Sequence, residues 1–164
     1  MTHERTTGDF LELVHRHQSI IHKICFIYSE NRSDREDLQQ EIILQLWKSF
    51  SSFQGNAAFS TWMYRVALNT AINKTRRPGL LIDRSSSPDL PYDPSDSYQL
   101  SEEIEILYQA ISQLKKVEKA IILLWLEEKS YEEISEAIGI TVKNVSVKLV
   151  RIRTRLAEII NKLQ

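Results

Sequence analysis

In the stretch FSTWMYRVALNTAINKTRR, Trp62, Arg65, Asn69, Asn73 and Arg76 recur at spacings of three and four, so a helix carries them on one face. An indole offers a stacking surface for an unpaired base, arginines hold a phosphate backbone, and amides hydrogen-bond to base edges. Recognition of an intact duplex would not need that mixture. Aromatics at helical spacing also serve as core, and here Phe59 is expected to be buried while Trp62 fits either role. Just upstream, the polar loop SSFQGNAAF has a single glycine and offers Gln54 and Asn56 as hydrogen-bonding groups around a shallow pocket.

A second constellation lies near the C-terminus. Ser130 and Glu133 have capping-box spacing ahead of YEEISEAI, Gly139 ends that short helix, and Thr141 suits the N-cap of the next one. In that next helix Val145, Leu149, Ile152, Leu156, Ile159 and Leu163 alternate by four and three, which defines one buried stripe. Opposite it fall Lys143, Val147, Val150, Arg151 and Thr154, with Asn144 and Lys148 on one flank and Ser146 on the other. This face offers bases for phosphates, an amide for a base edge and apolar groups for thymine methyls, as a recognition helix does in a major groove. A solvated basic helix on an ordinary bundle would look similar; the caps and the turn glycine favour a helix-turn-helix.

The elements that must position these faces are helical throughout. Only four glycines and four prolines in 164 residues, with 42% hydrophobic residues, predict an all-α chain able to bury a core. Phe10, Leu13, Val14, His17, Ile20, Ile21, Ile24, Ile27 and Tyr28 predict one amphipathic helix. Ser33 and Glu36 have capping-box spacing for a second, which carries Leu38, Ile42, Leu46 and Phe50, and a third runs from about Ser60 to Arg77, before Pro78 and Gly79. Residues 79–101, rich in Ser, Pro and Asp, read as a flexible linker, and four helices are predicted after it. The expected organisation is two small helical domains, 1–78 and 102–164, joined by that linker.

The net charge of −1 hides a segregation along the chain. Residues 60–78 hold Arg65, Lys74, Arg76 and Arg77 and no acid. Residues 141–164 hold Lys143, Lys148, Arg151, Arg153, Arg155 and Lys162 against Glu158 alone. The stretch between carries thirteen acids and five bases. Two separate nucleic-acid contacts are the expectation. The start MTHERTTGDF lacks a signal-peptide pattern and no stretch is long and apolar enough for a bilayer, so a cytoplasmic protein without membrane insertion is expected. Cys25 has no second cysteine to pair with. No phosphate loop, nucleophile elbow or zinc-spaced cysteine set is present, so neither enzymatic activity nor a cofactor is predicted. His15, His22 and Cys25 can share one side of the first helix, but no fourth ligand accompanies them and a metal site is not predicted.

Taken together, FQGNAAFSTWMYRVALNTAINKTRR, SDREDLQQEIILQLWKSF and EKSYEEISEAIGITVKNVSVKLVRIRTRL resemble the extracytoplasmic function group of bacterial sigma factors, over about residues 10–77 and 102–163. That group keeps only the second and fourth regions of the larger sigma architecture. The resemblance implies a promoter-specific initiation factor whose partners are core RNA polymerase, promoter DNA and, in many members, an anti-sigma protein. It implies that Asp37, Gln40 and Glu41 contact the polymerase clamp. Gln54, Asn56, Trp62, Arg65, Asn69, Asn73, Arg76 and Arg77 would then open and hold the minus-ten element, with Gln54, Gly55 and Asn56 in the loop that receives a flipped base. Thr141, Lys143, Asn144, Ser146, Val147, Lys148 and Arg151 would read the minus-thirty-five element. The linker aspartates Asp83, Asp89, Asp93 and Asp96 would thread the polymerase cleft, where they occupy sites that otherwise hold phosphates.

The chain departs from the group's pattern at several places. Leu114 and Lys115 stand where Leu-Pro is usual, and Glu128 and Lys129 where a turn contains Gly. Asn73 replaces a common Asp, and Ser146 and Val147 stand where Lys and Ser are frequent. The competing expectation is a helix-turn-helix regulator that binds duplex DNA without polymerase, with residues 1–77 as a sensing or dimerising domain. A third is an adaptor that binds only proteins.

Overall fold

Residues 6–55, 58–74 and 101–164 are described by the computed structural model, which divides into two compact units. The assignments made above to Asn56, Arg76, Arg77 and the linker aspartates lie outside these residues. Among the described residues there is helix and turn but no strand, and no helix is long and apolar enough to cross a membrane.

The first unit contains α1 (Thr7–Arg16), α2 (Gln18–Tyr28), α3 (Arg32–Ser49), a 3₁₀ turn (Phe50–Ser52) and α4 (Phe59–Lys74). Its core forms where α2, α3 and α4 pack on one another. Ile21, Ile24 and Ile27 meet Ile42, Leu46, Met63 and Leu68 there, all fully buried. The small Ala67 and Ala71 on the same face of α4 are buried as well.

Two local expectations are corrected. The single helix expected across Phe10–Tyr28 is two helices, broken at His17, whose φ of −111° and ψ of 17° leave the helical region. The His17 N–H still bonds to the carbonyls of Leu13 and Val14, and its own carbonyl accepts the Ile20 N–H. One residue absorbs the bend, so the apolar spacing carries across it unbroken. The cap of α3 is Asn31 and not Ser33: Asn31 Oδ1 accepts the Asp34 N–H at 2.9 Å while its Nδ2 donates to Asp34 Oδ2 at 2.9 Å. Asn31 is as good a cap as serine, and starting there adds two residues to the helix.

The second unit contains α5 (Glu102–Ser112), α6 (Lys116–Leu126), α7 (Tyr131–Ile138) and α8 (Val142–Leu163). Ser101, read from sequence as the last linker residue, caps α5 through its hydroxyl. α8 packs against α5, α6 and α7. Ile111, Ala120, Ile121, Leu124 and Ile134 surround its buried Val145, Leu149, Ile152 and Leu156. The expected stripe outlasts this core, for Ile159 is half-buried and Leu163 is exposed.

The two departures near the helix ends have physical consequences. At Lys115 the missing proline leaves a free N–H, and Glu118 Oε2 accepts it at 3.1 Å to start α6. At the end of α6, Glu128 takes φ 61°, the left-handed conformation that glycine adopts without strain. Lys129 N–H reaches the Leu124 carbonyl and Glu128 N–H the Trp125 carbonyl, the paired bonds of a Schellman ending. Those bonds hold a residue with a side chain where glycine is usual.

Candidate nucleic-acid interface

In the first unit the chemistry is concentrated on α4. Phe59, Met63, Tyr64, Ala67, Leu68, Thr70 and Ala71 are buried, which leaves Arg65, Asn69 and Asn73 as an exposed stripe at four-residue spacing. Trp62 begins that stripe and is half-buried. Its ring lies 5.2 Å from Phe53, 5.3 Å from Phe59 and 6.4 Å from Phe50. Phe59 is core, as expected, and touches His17 at 5.5 Å. Burial, and then the Arg16 charge, hold the His17 imidazole below the usual histidine pKa of 6.5.

Trp62 is therefore partly core and partly surface. One part of the indole closes a ring cluster that continues through Phe50 to Phe10 and Trp47, and the rest is accessible beside the polar stripe. An aromatic ring anchored in this way would lose little side-chain freedom if a base stacked on it. The loop before α4 supplies exposed Gln54 and Gly55, the latter at φ 76° with open space around it. The sequence reading passed over Phe53. Its signal was the Phe50 to Phe53 spacing of three, which the 3₁₀ turn uses to bring both rings under Trp62.

The polar face of α3 is partly covered. Asp37, Gln40 and Glu41 are all half-buried, and Glu41 Oε1 accepts from Gln45 Nε2 at 3.0 Å. Three and four residues apart, they still share one side of the helix. His15 is exposed, His22 half-buried and Cys25 buried, and among the described residues no three His, Cys, Asp or Glu side chains converge as a metal site. Burial pushes the Cys25 thiol up to about 12, so it stays protonated and unreactive.

The second unit has the predicted helix-turn-helix. Ser130 and Glu133 cap reciprocally, at 2.8 Å and 3.1 Å, and Gly139 ends α7 at φ 81°. Ser135 Oγ donates to the Ile140 carbonyl at 2.5 Å and so pins the turn. Thr141 Oγ1 accepts the Asn144 N–H at 3.1 Å, which starts α8 and leaves the hydroxyl hydrogen to donate outward. Lys143, Asn144, Val147, Lys148 and Arg151 are exposed and Ser146 is half-buried. Val150, 65% exposed, and Val147, 42% exposed, make an apolar line along the same face. Arg153 and Arg155, part of the same basic island, point elsewhere. The Arg153 guanidinium lies over Trp125 at 4.9 Å, and Arg155 pairs with Glu118 at 3.7 Å.

Comparison with known proteins places both faces in context. Residues 13–79 match the family description Sigma-70 region 2, and residues 104–156 match Sigma-70, region 4. The chain is 33% identical over 166 residues to the ECF RNA polymerase sigma-E factor of Haemophilus influenzae, covering 93% of this chain and 86% of that one. It is 29% identical over 164 residues to the ECF RNA polymerase sigma factor SigW of Bacillus subtilis, covering 90% and 86% respectively. Among solved structures, the sigma factor RpoE in complex with the anti-sigma factor NepR, from Bartonella quintana, matches with a TM-score of 0.69 at 18% identity, covering 94% of this chain and 98% of that one. CnrH in complex with the cytosolic domain of CnrY matches with a TM-score of 0.64 at 18% identity, covering 96% and 90%.

Proposed function

Because this chain belongs to the extracytoplasmic function sigma factors of RNA polymerase, we propose how its separate faces divide the work of promoter-specific initiation. Asp37, Gln40 and Glu41 on α3 dock on core polymerase. Lys143, Asn144, Ser146, Val147, Lys148 and Arg151 on α8, with Thr141 at its cap, read the minus-thirty-five element as duplex. Trp62, Arg65, Asn69 and Asn73 on α4 receive the opened minus-ten strand with Gln54 and Asn56, and Arg76 and Arg77 add phosphate contacts.

The observation that carries this reading is the exposed stripe of Arg65, Asn69 and Asn73 beside a Trp62 ring anchored from below. Extracting a base from the stack costs a few kcal/mol. Stacking returns about 1–3 kcal/mol per base, so a fixed aromatic platform offsets most of that cost. Phosphate contacts supply affinity that falls as salt rises. No group in these faces needs to form or break a bond, so the proposed action is non-covalent and takes place in the cytoplasm, where polymerase and promoter meet. An anti-sigma protein is a further proposed partner, as the solved neighbour RpoE is held by the anti-sigma factor NepR.

Reconstituted transcription tests the reading. Added to core polymerase, the chain should direct initiation at a defined promoter, and D37N/E41Q should lower core affinity about tenfold while helical content stays unchanged. Equal binding of the promoter with and without core would favour a duplex-binding regulator instead.

A further inference from the structure

Lys74 ends α4 and belongs by sequence to the first basic island, yet its Nζ is buried and has no hydrogen-bond partner among the described residues. An ammonium taken out of water and left unpaired is costly, so lysines are rarely hidden unless opposite charge lies close by. Here the close charge is on α3, which packs along α4. Desolvation pulls the Lys74 pKa below the usual lysine value, and Asp37 and Glu41 oppose it most strongly, followed by Cys25 and Asp34. Asp34, Asp37 and Glu41 lie three and four residues apart on one side of α3. The Arg35 guanidinium of α3 sits 4.5 Å from the Phe26 ring, and its buried Nε has no hydrogen-bond partner among the described residues.

We propose that Lys74 is a positioning residue that acts as an internal counterion for the core-docking face. Its charge attracts Asp37 and Glu41 through space in the free protein, with no hydrogen bond to either, and gives them up to cationic groups of the polymerase on docking. This rests on the docking reading of Asp37 and Glu41. The same helix presents Trp62, Arg65, Asn69 and Asn73. A charge exchange at its last turn therefore ties occupancy of the polymerase face to the helix that receives the opened strand.

The test is a fluorescence titration of the full chain with core polymerase, at low and high salt, for wild type, K74M, K74Q, K74R, D37N/E41Q and D37N/E41Q/K74M. K74M should tighten core binding about three- to tenfold at low salt, the size of one partly screened charge pair, because one internal competitor for the acids is gone. The gain should shrink at high salt, vanish in the D37N/E41Q background and revert in K74R. Its unfolding midpoint should hold or rise, since an apolar side chain replaces a buried charge. If K74M does not fold, K74Q carries the same expectation. A D37N/E41Q that weakens docking together with a K74M that binds no tighter overturns the counterion role and leaves the docking face intact. A D37N/E41Q that binds core like wild type overturns the docking reading, and this proposal with it.

Discussion

The two helices proposed to face DNA are built on different principles. α8 stands on its core by a narrow stripe, and its reading face is open from Lys143 to Thr154. α4 is sunk into its unit, with buried residues on most of its circumference and a strip of three polar residues left outside. Its aromatic group, Trp62, is shared between core and surface. A duplex presents its information in a groove as wide as a helix, so an exposed face suffices to read it. A base removed from its stack needs a rigid apolar platform in return, and rigidity comes from the core beneath. The difference in burial between the two helices matches the difference in what they are proposed to bind.

The sharpest way to break this comparison is at Trp62. Trp62→Leu keeps an apolar group against Phe53 and Phe59 but removes the stacking face, and should cost about 1–3 kcal/mol in holding the opened strand. Permanganate reactivity of minus-ten thymines should fall while retention on duplex DNA holds. In the second unit the equivalent weak points are caps. Ser130→Ala and Thr141→Ala should each lower unit stability by about 1 kcal/mol, read by urea denaturation, and weaken minus-thirty-five binding in proportion. Glu128→Gly should do the reverse and stabilise the turn before α7 by about 0.5–1 kcal/mol, because relief of the left-handed strain exceeds the added freedom of the unfolded chain.

The smallest effect concerns acid. His17 is held below its usual pKa of 6.5, so the unfolded chain binds the proton more readily than the folded one. First-unit stability should decline as pH falls from about 6.5 toward the depressed native value, and His17→Phe should flatten that slope. A slope unchanged by the substitution would assign the acid response to other groups.

The sequence made the second unit more legible than the first. Caps, a left-handed glycine and a four-three stripe are local signals, and Ser130, Gly139, Thr141 and Val145 behave as their types dictate. In the first unit the informative contacts are distant in sequence. Phe53 meets Trp62 across a loop, the Lys23 ammonium donates to the Tyr64 hydroxyl at 3.2 Å, and the Lys74 ammonium is buried on the helix that packs along α3. Periodicity placed Lys74 in a basic island because it reads charge without direction. The bend at His17 was invisible because no proline or glycine marks it. The roles proposed for Asp37, Gln40 and Glu41 come from resemblance, those for Trp62, Arg65, Asn69 and Asn73 also from residue type and spacing.

The most direct test separates the two faces in one assembly. Holoenzyme carrying R65A/N69A, or K143A/R151A, is titrated with a single-stranded minus-ten oligonucleotide and with a minus-thirty-five duplex, both from a promoter the factor uses. R65A/N69A should lose about tenfold on the single strand and little on the duplex, and K143A/R151A should do the opposite. Equal losses on both DNAs for either variant would contradict the division of labour between α4 and α8.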